Sequence, residues 1–297
     1  MLLNVLVLVA GFIAGLLIII GILIAIILHR VPGQYLDIDG LKLYYRVEGE
    51  GVPVVLVHGY AAHADLNWRL PGVIRALRRK YKVITFDVRG HGLTDRPHEP
   101  EKYGIEIARD VVRLLDHLHI EKAHVVGYSM GGFITISLLS LCPERLLSAV
   151  PCASGYEKPE GKNIQLLLSL TGALDEKNSF EPLIRALEPV PPPAWKVKLI
   201  DFLMGSINDR KALSALMKEF TELSISEEVL RNNKVPVLSM AGTRDPLGAG
   251  IKAMTEMMPC HEAAYIKGGD HVTTILKRAY MENLMAFLDK HSPKTQA

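Results

Sequence analysis

The stretch that decides the fold is His124-Val125-Val126-Gly127-Tyr128-Ser129-Met130-Gly131-Gly132. Its apolar start reads as the end of a buried β-strand. The run Met130–Leu141 that follows has helical character, so Ser129 falls on a tight strand-to-helix turn inside a G-x-S-x-G pattern. Such a turn pushes the serine hydroxyl clear of the backbone and leaves almost no room two positions either way, which is the reason for Gly127 and Gly131. The unpaired N–H groups of the helix start add partial positive charge beside the hydroxyl oxygen. The bland alternative, a serine that only caps a helix, does not account for the glycine on each side.

Outward from this turn, short β-type runs alternate with longer amphipathic ones, the pattern of an α/β protein with a mostly parallel sheet flanked by helices. Leu41–Val47 alternates like a half-exposed edge. Val52–Val57, Lys82–Phe86, His124–Val126, Ser148–Cys152, Val235–Ala241 and Ala263–Ile266 are apolar runs suited to burial on both faces. Helices are expected at Val73–Lys80, Ile105–Leu118, Met130–Leu141, Ile251–Met257 and Val272–Leu288. Between about Tyr156 and Asn233 the alternation gives way to short helical segments broken by Pro189, Pro191, Pro192 and Pro193, which reads as a helical cap inserted into the core. The expected division is an N-terminal anchor at 1–30, a first part of the core at 31–155, the cap at 156–233 and a second part of the core at 234–297.

A serine needs a base to take its proton and a third group to hold that base in the right tautomer. Val235–Ala241 runs into Gly242-Thr243-Arg244-Asp245, and Ala263–Ile266 runs into Gly268-Gly269-Asp270-His271. Asp245 and His271 therefore fall at the same strand edge as Ser129, in the order serine, acid, histidine. Asp270 competes for the acid role but is adjacent to the histidine in sequence, and Asp87 is better suited to tying down its own loop. For His271 the bland alternative is a surface-loop histidine. The oxygen that turns negative during acyl transfer needs backbone donors. Met130, just after the serine, is one candidate, and Tyr60, in the loop His58-Gly59-Tyr60 after Val52–Val57, is the other. Gly59 permits close approach there, and His58 is placed to brace the loop.

The segments Val54-Val55-Leu56-Val57-His58-Gly59, Phe86-Asp87-Val88-Arg89-Gly90-His91-Gly92, Gly127-Tyr128-Ser129-Met130-Gly131-Gly132, Gly242-Thr243-Arg244-Asp245 and Gly269-Asp270-His271 together resemble the α/β-hydrolase superfamily, over about Leu36 to Leu288. The resemblance implies an eight-stranded sheet, a Ser-Asp-His site, an oxyanion hole, a cap between the sixth and seventh strands, and no metal or organic cofactor. It leaves the reaction open among esterases, lipid hydrolases, thioesterases, carbon–carbon bond hydrolases, acyltransferases and perhydrolases, or a scaffold protein that lost the chemistry. Ser129 disfavours the epoxide hydrolase and haloalkane dehalogenase branches, which carry aspartate there, and Met130 stands where proline iminopeptidase-like members usually show tryptophan. Leu166, Leu167, Leu168, Phe202, Leu203, Met204 and Met217 of the cap are candidates to line an acyl pocket. The expected function is hydrolysis of lipophilic carboxylic esters.

Composition removes other classes. With 34 Lys and Arg against 32 Asp and Glu and a formal net charge of +2, without a basic stripe, nothing resembles a nucleic-acid surface. Cys142, Cys152 and Cys260 form no C-x-x-C pair and read as ordinary buried thiols. Neither His58, His63 and Asp65 nor His117 and His119 match a metal-ligand spacing. Val5–Leu28 is an uncharged apolar run that as a helix would rise about 36 Å against a hydrocarbon core of about 30 Å, so a single-pass membrane anchor is expected. Arg30, Lys42 and Arg46 after it favour a cytoplasmic catalytic domain, and Gly11 and Gly15 form a G-x-x-x-G able to support a weak homodimer.

Overall fold

The structure, a computed structural model, describes residues 31–156 and 162–293. Eight strands form one sheet: β1 (Gln34–Ile38), β2 (Leu41–Glu48), β3 (Val52–Val57), β4 (Tyr81–Phe86), β5 (Ala123–Tyr128), β6 (Leu146–Cys152), β7 (Val237–Gly242) and β8 (His261–Ile266), in the order β1-β2-β4-β3-β5-β6-β7-β8. The pairs β1/β2 and β2/β4 are antiparallel and every other pair is parallel. The parallel strands β3, β5, β6, β7 and β8 consequently end at a common edge, and that edge is where the residues of interest gather.

Why the parallel strands read as continuous apolar runs is visible in β3. Val55 and Val57 pack into the core on one face, with Val125, Ile134 and Leu138, while Val54 and Leu56 pack into the other, with Trp68, Leu77 and Leu284. All four are fully buried, each worth about 1.5–3 kcal/mol of transfer free energy. The first face is covered by α2 (Glu106–His117) and α3 (Met130–Leu141), the second by α1 (Val73–Leu77) and α10 (Arg278–His291). Between β6 and β7 the chain is helical: α4 (Lys162–Lys177), α5 (Glu181–Leu187), α6 (Ala194–Ile207), α7 (Arg210–Lys218), a 3-10 turn at Phe220–Leu223 and α8 (Glu227–Asn232). A last helix, α9 (Gly250–Met257), joins β7 to β8.

Four expectations change. Leu41–Val47 is not an edge, because β1 pairs outside it; β1 has only five residues and buries little, too weak a pattern to stand out. β8 is not buried on both faces: it pairs with β7 alone and is largely open to solvent. The helix expected from Val272 starts at Arg278, since the Asp270 carboxylate accepts the Val272 and Thr273 N–H groups and winds the chain into a turn first. Cys260 is exposed, unlike Cys142 and Cys152.

The expected single-pass membrane placement with a cytoplasmic catalytic domain is also corrected. No helix among the described residues is long and apolar enough to cross a membrane. The longest, α4, has 16 residues and rises about 24 Å, short of a hydrocarbon core of about 30 Å. Val5–Leu28, with Gly11 and Gly15, lies outside the described residues.

Buried and half-buried imidazoles are expected to make the fold acid-sensitive. Burial pushes His124 down to about 4, with His291 adding to the effect; its ring bonds the Ser148 and Ser292 hydroxyls at 2.7 and 3.1 Å. Burial likewise brings His261 to about 4 against the opposing pull of Glu262, and holds His91 well below the usual range. A histidine whose folded pKa is depressed binds its proton more readily when unfolded, so the stability it permits is full above about pH 6.5 and declines as pH falls toward 4. The urea midpoint is expected to drop steadily across that window and to drop less in His124→Gln; a flat midpoint between pH 6.5 and 4 would contradict this.

Candidate active site

Ser129 sits between β5 and α3 at φ 54° and ψ −116°, a left-handed backbone that costs a non-glycine residue about 1–3 kcal/mol. Its neighbours hold it there. The Ser129 N–H donates to the Cys152 carbonyl of β6 at 2.8 Å, and the Gly132 and Phe133 N–H groups donate back to the Ser129 carbonyl at 2.8 and 3.2 Å. A Cβ on Gly127 would run into the Gly131 carbonyl, and one on Gly131 into the carbonyl of Val57 at the end of β3. Glycine at both positions is thus a packing requirement of the turn.

Across the sheet edge, His271 Nε2 lies 3.0 Å from Ser129 Oγ. On the other side of the ring, Nδ1 lies 3.0 and 3.2 Å from the two carboxylate oxygens of Asp245. Asp245 Oδ1 also accepts the Leu247 N–H at 3.0 Å, which opens the 3-10 turn after β7. The Asp245 side chain is fully buried and that of His271 nearly so, while Ser129 is half-buried at the wall of a pocket. With Nδ1–H donated to the carboxylate, Nε2 carries the lone pair that faces the serine.

The two competing acids are engaged elsewhere. Asp270 Oδ1 accepts the Thr273 hydroxyl at 2.7 Å and the N–H groups of Val272 and Thr273. Burial raises its carboxyl, but these hydrogen bonds and the nearby Arg244 outweigh that and hold it below the usual range. Asp87, fully buried, accepts the Ala64 and Leu93 N–H groups at 2.9 and 2.8 Å, tying two loops together.

The loop after β3 lies against the elbow: a Cβ on Gly59 would stand 3.4 Å from Ser129 Cβ. Tyr60, Ser129 and Met130 border the same pocket. Fully buried His58 accepts the Val88 N–H on Nε2 at 2.9 Å, leaving Nδ1–H to donate to the Gly59 carbonyl at 2.8 Å. Two more supports escaped sequence reasoning. Asn67 Oδ1 accepts the Gly59 N–H at 2.8 Å, and His91 Nε2 accepts the Ala61 N–H at 3.1 Å. His91 stood within a quoted motif without a role, and nothing in the spacing flagged Asn67, whose contact depends on the π-helical turn Asp65–Arg69.

The pocket is walled mainly by apolar side chains. Leu166, Leu167 and Met217 line it, as do Phe133, Ile136, Leu170, Leu183, Phe220, Leu223, Ile225 and Leu247. Leu168 and Phe202 instead face solvent, each 69% exposed, and Leu203 and Met204 are not in the lining. Among the described residues no group of three or more His, Cys, Asp or Glu side chains is arranged to hold a metal ion.

Residues 52–188 match the family model described as the alpha/beta hydrolase fold. A protein of Azorhizobium caulinodans named as a carbamate hydrolase is 36% identical over 119 residues, 40% of this chain and 43% of that one. The pimeloyl-[acyl-carrier protein] methyl ester esterase of Aliivibrio fischeri is 27% identical over 84% of this chain and 99% of its own length. In three dimensions, a bromoperoxidase from Bacillus anthracis superposes with a TM-score of 0.69 at 23% identity, over 87% of this chain and all of that one. The fold of this chain is the α/β-hydrolase fold. The first curated relatives are matched over only 30–43% of their own lengths. These relatives include proteins named as a hydrolase and as an esterase.

Proposed function

We propose that this chain hydrolyses carboxylic esters with lipophilic acyl groups through an acyl-enzyme on Ser129. The observation that carries this reading is the continuous row from Ser129 Oγ through His271 to Asp245 at the wall of an apolar pocket. In the proposed reaction His271 Nε2 takes the Ser129 proton as Oγ attacks the ester carbonyl, and Asp245 stabilises the imidazolium through Nδ1. The negative oxygen of the tetrahedral state is received by the backbone N–H groups of Met130 and Tyr60. His271 then gives its proton to the departing alkoxide; water next attacks the acyl carbonyl as the same imidazole takes its proton and passes it to Ser129 Oγ, so that the C–Oγ bond breaks, the acid leaves and the serine hydroxyl is restored.

That proton transfer orients the substrate. The alcohol must leave on the His271 side, so the acyl group extends the other way, over α3, where Phe133 and Ile136 follow Ser129 on one helical stripe and the Phe220 ring meets Phe133 edge-on at 5.6 Å. The segment 156–233 acts in this reading as a cap over the core formed by 31–155 and 234–297. A small-molecule acyl ester is the substrate class, and the Aliivibrio fischeri relative is itself named for an acyl methyl ester.

A fluorophosphonate probe is expected to label the wild type on Ser129 and to leave folded Ser129→Ala unlabelled. On p-nitrophenyl esters from acetyl to dodecanoyl, kcat/KM is expected to rise with chain length before it falls. Absence of labelling in folded wild type would end the serine-hydrolase reading, and equal turnover of acetyl esters with none of longer ones would end the lipophilic one.

A further inference from the structure

The residue inside the elbow motif, Tyr128, is tied to the base as well as to the nucleophile. It precedes Ser129 directly, yet its ring turns back under the sheet edge, buried among Trp68, Tyr280 and the imidazole of His271, with ring centroids 6.3, 6.4 and 5.9 Å away. The Tyr128 hydroxyl donates to the backbone carbonyl of His271 at 2.8 Å in a buried hydrogen bond. Asp245 holds the far nitrogen of the imidazole, but a ring gripped only there can still move with its backbone. The tie adds to a short segment, which leaves exposed β8 through Gly268, at φ 69°, and passes through a single 3-10 turn at Thr274–Leu276 before the helix that starts at Arg278.

We propose that Tyr128 is a positioning residue: its phenol locks the backbone of His271 to the strand that carries Ser129 and so sets the distance between Oγ and Nε2. This rests on the reading of Ser129 and His271 as nucleophile and base. One peptide unit joins the nucleophile to the side chain that anchors its base, so part of the spacing of the pair is set from β5 itself, beside the hold that Asp245 after β7 has on the ring. Without the phenol oxygen the His271 carbonyl loses its buried donor and turns in search of another, carrying the imidazole with it. A displacement of about 1 Å at a reacting pair costs about 100-fold in rate.

The experiment compares Tyr128→Phe with Tyr280→Phe. Tyr280 is a matched control, a buried tyrosine of the same cluster whose hydroxyl lies 3.5 Å from Cys152 Sγ and is not bonded to His271. Active sites are counted by fluorophosphonate titration, so that misfolded protein does not enter kcat. Tyr128→Phe is expected to lose 10- to 100-fold in kcat per titrated site on a short ester, with KM within twofold of wild type. It is also expected to lose or shift the downfield proton resonance of His271 Nδ1–H, which Tyr280→Phe retains along with wild-type kcat. A kcat for Tyr128→Phe within twofold of wild type, an equal loss in Tyr280→Phe, or an unchanged downfield resonance would overturn the proposal. A wild type inert to esters and probe would sink the hydrolase reading instead, and the resonance would still decide whether Tyr128 holds the imidazole.

Discussion

Ser129→Ala is expected to lower kcat by about a million-fold on any ester the wild type turns over, the scale seen when a nucleophile that works as one unit with its base is removed. The residual rate, about a thousand-fold or more above the uncatalysed reaction, would come from the Met130 and Tyr60 donors and from binding in the pocket. Removing His271 as well should cost little more, since the imidazole 3.0 Å from Oγ has no other proton to take. Alanine meets the same backbone strain at φ 54° as serine does, so the melting temperature should scarcely change. Steady-state kinetics and a thermal melt on the single and double variants test this, and more than one percent of wild-type kcat in folded Ser129→Ala would exclude the mechanism.

Asp245→Asn is expected to cost about 10,000-fold in kcat with little loss of structure. The asparagine amide would donate to Nδ1 where the carboxylate now accepts from it, at 3.0 Å, and so leave the proton on Nε2, the nitrogen that must receive the serine proton. Asp270→Asn gives the contrast. That carboxylate serves the turn through Thr273 and Val272 and lies 3.4 Å from the Arg244 guanidinium, so its replacement should lower the melting temperature while kcat stays within about fivefold of wild type. Parallel measurement of kcat and melting temperature decides between the two, and the reverse pattern would make Asp270 the acid.

How legible all this was in sequence varies with how local the cause is. The elbow could be read because Gly127 and Gly131 answer to a backbone turn within five residues, and the reading of α3 as Met130–Leu141 agrees with the structure. The parallel strands were equally visible, since burial on both faces leaves an unbroken apolar run. What stayed hidden depends on partners far off in the chain. Gln34–Ile38 has no pattern of its own and becomes a strand by pairing with Leu41–Tyr45. Ala263–Ile266 carries the composition of an inner strand but ends the sheet, because among the described residues no further strand pairs beyond it. In the helical interval, apolar residues mark a helix without saying which neighbour it meets: Leu167 lines the pocket while Leu168, one position on, faces solvent. The acceptors His91 and Asn67 became visible only once two loops were brought together.

In the proposed reading, much of the pocket wall comes from a different stretch of chain than Ser129, Asp245 and His271, although Phe133, Ile136 and Leu247 come from the core. Ser129, Asp245 and His271 sit at strand ends locked by the sheet, whereas Leu166, Leu167, Leu170, Leu183, Met217 and Phe220 all come from the helices between β6 and β7. Chemistry and appetite are therefore separable heritable units. If the proposed reaction holds, drift, insertion or exchange within the helical stretch would reshape most of the pocket while Ser129, Asp245 and His271 pass on unaltered, and diversity among its relatives should concentrate there.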